Sequence, residues 1–310
     1  MTHRFAGIYP ILYAFYGADG RVDAGAMRAQ VEHCIAAGAH GIAVLGLVTE
    51  VNRLDTAERR ALVETVGTAI GGRVPYAVTV GETTVDGQIE FARMARANGA
   101  SWAILQPPPG KGLSESVLHG HFGAIADALD FPVAIQNNPV NLDSSLSPES
   151  LAVLVARHAN IALLKAEGWS VDIATTLSAL DGKVDAFGGH GGLEFLSLLR
   201  SGGAGLIPAP DCVAIQVAIY EAFREGTPDS LARAERLHRA ILPLIVFMTR
   251  GIPGILCYGK RLMARRLGMK GAPHDRAPAI LPTEFGMAEM ERLLASAQAL
   301  ERELGLVDAE

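Results

Sequence analysis

The stretch Ile161-Ala-Leu-Leu-Lys165-Ala-Glu167-Gly168 places a lysine and a carboxylate at the end of a short apolar run. Four consecutive apolar residues are typical of a strand that is buried on both faces, as in a parallel sheet. An ammonium group at the end of such a strand needs a partner or a purpose, because its desolvation is costly. Burial also favours the free amine, which is the form that attacks a ketone. We therefore predict that Lys165 forms a Schiff base. The alternative is that Lys165 pairs with Glu167 or extends its ammonium group to solvent.

Strand and helix signals alternate along the first part of the chain. Apolar runs are followed by segments of helical periodicity at intervals of roughly 25 to 30 residues. One of these helices begins with a capping box, in which Asp55 is the N-cap residue and Glu58 follows three positions later. Eight such units predict an α/β fold, a (β/α)8 TIM barrel of about 250 residues. The predicted strands span residues 7–15, 41–46, 74–80, 102–106, 133–136, 161–165, 184–187 and 205–207.

Strand signals stop after Gly226. Three amphipathic helices are predicted over residues 229–248, 255–267 and 284–304, separated by segments rich in glycine and proline. We therefore predict a barrel domain over residues 1–226 and a C-terminal three-helix extension over residues 227–310.

Composition predicts a folded protein with a large core. Hydrophobic residues make up 49% of the chain and charged residues 19%, which is against disorder. The net charge of −6 is mild, so no nucleic-acid partner is expected. The three cysteines have no metal-ligand spacing and are expected to be buried thiols in a reducing compartment. Without a signal-peptide core or a long apolar segment, the expectation is a cytoplasmic protein with no membrane partner.

The barrel prediction also locates the candidate site, because chemistry in such barrels takes place at the C-terminal ends of the strands. Lys165 lies at one of these ends. The other lysines, Lys111, Lys183, Lys260 and Lys270, are expected in loops or on surface helices.

The second strand ends with Gly46-Leu47-Val48-Thr49-Glu50. A glycine followed by a turn lets main-chain amides point into the mouth of the barrel, where they are suited to bind a substrate carboxylate. Thr49 is able to donate a hydroxyl and Glu50 to brace the loop. The alternative is an ordinary exit from a strand into a loop.

Two further strand ends carry polar groups. Gln136-Asn137-Asn138-Pro139 offers amides that bind hydroxyl or carbonyl groups but exchange no protons at neutral pH. Gly188-Gly-His190-Gly-Gly192 places a histidine among glycines, as a proton carrier or as an ordinary loop residue. No metal site is predicted, since His119 and His121 diverge on their helix.

The chain resembles the dihydrodipicolinate synthase / N-acetylneuraminate lyase family of class I aldolases and dehydratases. The matching landmarks are Gly7-Ile-Tyr-Pro, Asp19–Asp23, Gly46–Glu50 with Leu54–Arg59 (for G-T-T-G-E and L-S-x-E-E-R), His121-Phe122, Asn137-Asn-Pro139, Lys165 and Gly259-Lys260. The resemblance implies a (β/α)8 barrel with a helical tail, a Schiff base on Lys165, a 2-oxo acid substrate, no metal or separate cofactor, and a dimer or tetramer.

Several positions depart from the family pattern. Gln136 stands in place of the relay tyrosine of the fifth strand, Pro107–Pro109 replaces the tyrosine after the fourth, and Leu47-Val48 replaces the threonine pair. The arginine that synthases place after N-x-P is Asn141. Gln136 at the tyrosine position, the hydroxyl residue Thr49 before Glu50 and Lys165-x-Glu167 resemble the 2-keto-3-deoxy-L-arabonate dehydratases.

Dehydration of a 2-keto-3-deoxy sugar acid is therefore the first hypothesis. Lys165 forms the imine, the amides of Leu47, Val48 and Thr49 bind the carboxylate, and a proton carrier replaces the tyrosine. Glu167 is favoured for that role because residues two apart in a strand face the same side. The other candidates are Glu50, His190, Thr49 and a water held by Gln136. Three alternatives use the same lysine: a retro-aldolase, a dihydrodipicolinate synthase-like condensation and a cyclic imino acid deaminase. A barrel that binds a keto acid without converting it is the remaining one.

Overall fold

The computed structural model describes residues 4–139, 142 and 144–306. Eight parallel strands form one sheet in the order β1-β8-β7-β6-β5-β4-β3-β2. The strands are β1 Gly7–Ile8, β2 Ile42–Val44, β3 Tyr76–Val80, β4 Trp102–Leu105, β5 Val133–Asn137, β6 Ile161–Ala166, β7 Asp185–Gly188 and β8 Gly205–Leu206. The main-chain amide of Leu12 donates to Ala43 and that of His40 donates to Ile8. These bonds join the first and last strands of the sheet and close the (β/α)8 barrel, which confirms the predicted fold class.

Helices follow every strand, as the periodicity predicts. The barrel helices are α1 Ala24–Ala36, α2 Thr56–Ile70, α3 Val85–Ala97, α4 Glu115–Asp127, α5 Pro148–Arg157, α6 Ser170–Leu180, α7 Phe195–Arg200 and α8 Val213–Glu225. The capping box of α2 is present, with the Asp55 carboxylate accepting from the Glu58 amide and the Glu58 side chain accepting from the Asp55 amide.

Several strands are shorter than predicted, β1 and β2 by the most residues. Regular pairing of β1 ends at Ile8 rather than at residue 15, because Pro10 has no amide proton to donate. The chain nevertheless stays against its neighbours, and the Ile11 amide donates to the main-chain oxygen of Pro208. Strand β2 ends at Val44, and Leu45 leaves the extended conformation with a φ of 65°.

Aromatic residues from β4, β7 and the segment after β1 pack together inside the barrel. Trp102, the first residue of β4, stacks on Phe187 with ring centroids 5.5 Å apart, and the Tyr9 ring lies edge-on to Phe187 at 5.0 Å. All three side chains are almost fully buried. This packing closes one end of the barrel, so a ligand has access from the C-terminal ends of the strands.

The C-terminal segment is helical, as predicted. It contains α9 Pro228–Met248, the single turn α10 Ile252–Gly254, a π-helical turn at Ile255–Gly259, α11 Lys260–Arg266 and α12 Glu284–Glu303. The π-helical turn is not evident from the sequence pattern. Helix α9 packs along α8, and the division at residue 226 remains a prediction.

In the described part of the chain, no single helix has the length and apolar character needed to cross a membrane. One bent pair, Pro228–Met248 with Ile252–Arg266, meets those criteria of length and composition only when its two halves are taken together, and they are 100° apart in direction.

Candidate active site

Lys165 and Glu167 lie side by side in one cavity at the C-terminal end of β6. The Lys165 side chain is 5% exposed, and its Nζ lies 3.4 Å from Glu167 Oε2. The two predicted environments of Lys165 therefore coexist: the ammonium group has a carboxylate partner, and it also faces a cavity. A proton acceptor beside the amine is the arrangement that nucleophilic attack on a carbonyl requires.

Two amide side chains fix the Glu167 carboxylate. Gln136 Nε2 donates to Glu167 Oε2 at 2.9 Å, and Asn138 Nδ2 donates to the same oxygen. Gln106 Nε2 in turn donates to Gln136 Oε1 at 3.2 Å. The sheet register sets this arrangement, since Gln136 on β5 pairs with Lys165 on β6. Gln136 and Asn138 are thus positioning residues for Glu167.

The loop after β2 approaches the same cavity. Leu47 and Val48 line it, and their amides have no main-chain acceptor in the described part of the chain. A Cβ atom at Gly46 would lie 2.3 Å from Ile11 Cδ1, so only glycine allows this close approach of the loop. The predicted use of the amides of this loop to bind a carboxylate is compatible with this geometry and remains a prediction.

Thr49 does not offer its hydroxyl to the cavity. Its side chain is fully buried, and the hydroxyl donates to the main-chain oxygen of Leu12 at 2.6 Å and accepts from the Leu45 amide at 3.0 Å. The hypothesis that Thr49 supplies a hydroxyl to the substrate is therefore wrong. Leu45 has a positive φ, and these two hydrogen bonds hold the loop in that conformation.

Glu50 braces the loop, as predicted. Its buried carboxylate accepts from Lys260 Nζ at 2.6 Å and from Arg53 at 2.6 Å. Lys260 is 1% exposed and also lies 3.2 Å from Asp275. The expectation that Lys260 lies in a loop or on a surface helix is therefore wrong. Because both Glu50 oxygens contact cations, Glu50 is not suited to carry protons for the reaction.

His190 lies at the rim of the cavity. It is half-buried in a short 3-10 turn after β7 and has a φ of 51°. The side chain contributes to the wall of the cavity that contains Lys165. The structure thus brings His190 to the site without deciding between the two roles predicted for it.

Asp211 and Tyr13 are site residues that the sequence reasoning missed. Asp211 follows β8 and lines the cavity, and Tyr13 donates its hydroxyl proton to Asp211 Oδ1 at 2.8 Å. Burial raises the pKa of the Asp211 carboxyl to about 6. The signal available in the sequence was the acidic residue after Pro208-Ala-Pro210, at the end of the last strand.

The rest of the cavity wall is mainly apolar. The C-terminal segment covers it with five large aliphatic side chains from α9 and the turns that follow it. These residues are Leu244, Ile245, Met248, Ile252 and Ile255. The C-terminal extension therefore forms part of the candidate site.

The described residues contain no group of three or more His, Cys, Asp and Glu side chains placed to hold a metal ion. The absence of a cofactor stays a prediction. Asn141, which stands where synthases have an arginine, lies outside the described residues.

A lysine at the end of a barrel strand, beside a fixed carboxylate and open to a cavity, is typical of the class I lyases that work through a Schiff base. The chain belongs to the dihydrodipicolinate synthetase family, whose model matches residues 4–296. Members of this family are class I Schiff-base lyases, namely aldolases, synthases and dehydratases, and this chain is an enzyme of that class.

Named relatives carry two different activities. The chain is 32% identical over 301 residues to the 4-hydroxy-tetrahydrodipicolinate synthase of Hyphomonas neptunium, covering 94% of this chain and 98% of the relative. It is 30% identical over 247 residues to the Escherichia coli K12 protein named "Probable 2-dehydro-3-deoxy-D-pentonate aldolase YjhH". That match covers 78% of this chain and 81% of the relative.

The fold of a solved synthase agrees with that of this chain. The 4-hydroxy-tetrahydrodipicolinate synthase of Methylacidiphilum fumariolicum SolV superposes with a TM-score of 0.87 at 22% identity. That match covers 98% of this chain and all of the other.

Proposed function

We propose that this enzyme dehydrates a short 2-keto-3-deoxy sugar acid, such as 2-keto-3-deoxy-L-arabonate, through an imine on Lys165. The main support is that Lys165 and Glu167 share one cavity while Gln136 and Asn138 hold the Glu167 carboxylate. The relay tyrosine of the family is absent, and its position is taken by a residue that orients a carboxylate. We therefore assign the proton transfer at C3 to Glu167.

The reaction follows from this arrangement. The Lys165 amine attacks C2 of the 2-oxo acid, and loss of water gives the imine. The amides of Leu47, Val48 and Thr49 bind the substrate carboxylate. Glu167 takes a proton from C3, and the resulting enamine expels the C4 hydroxyl, which takes up a proton and leaves as water. Transfer of a proton from C5 to C3 then gives a C4=C5 enol that ketonises to the aldehyde, and hydrolysis of the imine releases the semialdehyde. General base catalysis of this kind is typically worth about 10² to 10⁴ in rate.

The apolar wall limits the length of the substrate. Beyond the lysine, most of the side chains that line the cavity are apolar, and aliphatic residues of the C-terminal segment cover it. Each buried hydroxyl without a hydrogen bond costs free energy. A five-carbon acid with hydroxyls at C4 and C5 fits this supply of polar groups better than a longer sugar acid.

Aldol cleavage is the second candidate. It is favoured by the 30% identity to a protein named as a pentonate aldolase. Cleavage uses the same imine but breaks the C3–C4 bond, so a base must act on the C4 hydroxyl. Product analysis separates the candidates: racemic 2-keto-3-deoxypentonate gives a semialdehyde by dehydration, and pyruvate with an aldehyde by cleavage.

Borohydride reduction tests the imine itself. Incubation with pyruvate and borohydride is expected to add a reduced pyruvyl group to Lys165, detected by peptide mass spectrometry. A Lys165→Ala variant is expected to remain unlabelled, whereas Lys183→Ala, which changes an exposed lysine after α6, is expected to be labelled normally. Saturable pyruvate binding without an adduct on Lys165 would favour a binding protein over an enzyme.

We infer that no separate cofactor is needed, because the protonated imine itself withdraws electrons from C3. A dimer or tetramer is supported by exposed apolar side chains on the C-terminal segment, where Leu281 is 85% and Phe285 79% exposed. A cytoplasmic location is supported by three cysteines that are free and buried, Cys34, Cys212 and Cys257.

A further inference from the structure

The cavity that contains Lys165 has a second carboxyl group on its β8 side. Asp211 lies in the short 3-10 turn Pro210–Cys212 between β8 and α8, is 6% exposed and lines the cavity. Its Oδ1 accepts the Tyr13 hydroxyl proton at 2.8 Å. A Cβ atom at Gly259 would lie 2.0 Å from the Tyr13 hydroxyl. Segments near β1, β8 and α11 therefore fix this pair together.

Among the described residues, no cation forms an ion pair with the Asp211 carboxyl. Arg266 on α11 donates to the main-chain oxygen of Asp211, but its two terminal nitrogens donate to Glu301 on α12 at 2.9 Å each. Burial raises the pKa of the adjacent Cys212 thiol, which therefore stays neutral. Lys165, Glu167 and His190 face the same cavity.

The Tyr13 bond also determines where a proton on Asp211 resides. Burial raises the pKa of the Tyr13 hydroxyl well above its ordinary value, so this group is a donor. Since Tyr13 donates to Oδ1, a proton carried by the carboxyl is placed on Oδ2. Burial also raises the pKa of the carboxyl to about 6, so a fraction of it is protonated near neutral pH.

We propose that Asp211 is the general acid that protonates the departing C4 hydroxyl, an assignment that rests on the dehydratase function proposed above. Lys165 fixes C2, and Glu167 lies beside the Lys165 nitrogen, where it can reach C3. Asp211 follows β8, two strands further around the barrel, and lines the same cavity, so we place the remaining carbons of the substrate on its side. The two carboxyl groups thus divide the proton transfers at C3 and C4.

The nitrogen lone pair of the enamine re-forms the C2=N double bond, and the C2=C3 electron pair forms the C3=C4 bond. The C4–O bond breaks, and the oxygen takes the Asp211 proton and leaves as water. Asp211 remains as a carboxylate hydrogen-bonded to Tyr13 and is protonated again from solvent.

His190 is the alternative acid in this cavity. Its side chain makes no hydrogen bond within the described residues, and its turn lies at the half-buried rim. Asp211 is held by Tyr13, and a fixed donor is the better acid because catalysis depends on alignment of the proton with the leaving oxygen. A His190→Gln variant therefore belongs in the same experiment.

The test separates three steps in the parent enzyme and in Asp211→Asn. Imine formation is measured by borohydride trapping of pyruvate, and enamine formation by exchange of the pyruvate methyl protons in D2O. Elimination is measured as semialdehyde release from racemic 2-keto-3-deoxypentonate. We expect Asp211→Asn to keep the rates of imine and enamine formation within about threefold of the parent. Its rate of elimination is expected to fall about 10² to 10⁴-fold.

Tyr13→Phe is expected to reduce the rate of elimination by about tenfold, because the Asp211 carboxyl loses its hydrogen bond. It is also expected to shift the pH above which the elimination rate falls. Tyr76→Phe changes a fully buried tyrosine on β3 and serves as the matched control. In the parent, elimination is expected to fall as the pH rises above about 6, and this limb is expected to disappear in Asp211→Asn.

Four results would overturn the assignment to Asp211. The first two concern Asp211→Asn: an elimination rate within threefold of the parent, or loss of imine trapping in a folded variant. The third is a larger loss of elimination rate in His190→Gln than in Asp211→Asn. The fourth is a parent enzyme that exchanges pyruvate protons but converts the pentonate only to pyruvate and an aldehyde, or not at all. Failure of the parent enzyme to trap pyruvate would overturn the proposed function as well.

Discussion

Gly189 lies against the Glu167 carboxylate so closely that a Cβ atom on Gly189 would be 2.7 Å from Glu167 Oε1. The loop after β7 therefore leaves room for the side chain that follows β6. This contact joins two strand ends that are adjacent only in the folded barrel.

Gly189→Ala is expected to displace the Glu167 side chain and to lower kcat by about tenfold or more, because small misplacements of a catalytic group are costly. The measurement is proton exchange of pyruvate in D2O. Gly168→Ala is the matched control, since a Cβ atom there has no neighbour within 4 Å. Equal exchange rates in the two variants would show that the Gly189 contact has no role in positioning Glu167.

Glu167→Gln is expected to keep the hydrogen bonds from Gln136 and Asn138, because an amide oxygen can accept both. It removes the base, so we expect exchange of the pyruvate methyl protons to fall about 10² to 10⁴-fold. Borohydride trapping on Lys165 is expected to persist. Glu194→Gln, in the loop before α7, is the control. Unchanged proton exchange in Glu167→Gln would assign the C3 proton to another group.

Lys260→Met is expected to destabilise the fold by about 3 to 5 kcal/mol, because it removes the Lys260 ammonium group from the buried Glu50 carboxylate and leaves Arg53 as its hydrogen-bonded cation. Urea denaturation measures the free energy of unfolding. Lys183→Met removes a lysine from an exposed position and is expected to change it by less than about 0.5 kcal/mol. Similar losses in both variants would mean that the buried pair does not brace the loop after β2.

The raised pKa of Asp211 predicts a pH-dependent stability. The folded state keeps its proton up to about pH 6, whereas the unfolded carboxyl ionises near its ordinary value of 3.8. The unfolded state therefore binds fewer protons between these values, and the free energy of unfolding falls by about 3 kcal/mol as the pH rises through this window.

Denaturation at several pH values between 4 and 7 tests this prediction by comparison with Asp211→Asn, which lacks the titrating group. The difference in unfolding free energy between parent and variant is expected to change across the window. Asp172→Asn, at an exposed position on α6, is expected to follow the parent. A constant difference between the parent and Asp211→Asn would contradict the raised pKa.

The sequence by itself determined the order of the strands and helices and the position of Lys165. Apolar runs and capping residues are local signals. The end of β6 was predicted because a lysine directly follows a run of apolar residues. The spacing of two also placed Glu167 on the same side as Lys165, since side chains alternate along a strand.

Only the tertiary structure decided which polar groups share the cavity. The sequence allowed both Thr49 and Glu50 to act as proton carriers, but contacts with Leu12 and Lys260 on other segments engage both side chains. The sequence assigned no role to Asp211, and only the folded chain brings it to the cavity with Tyr13 as its hydrogen-bond donor. Hydrogen bonds between residues about 200 positions apart depend on closure of the barrel, and no local pattern in the chain encodes them.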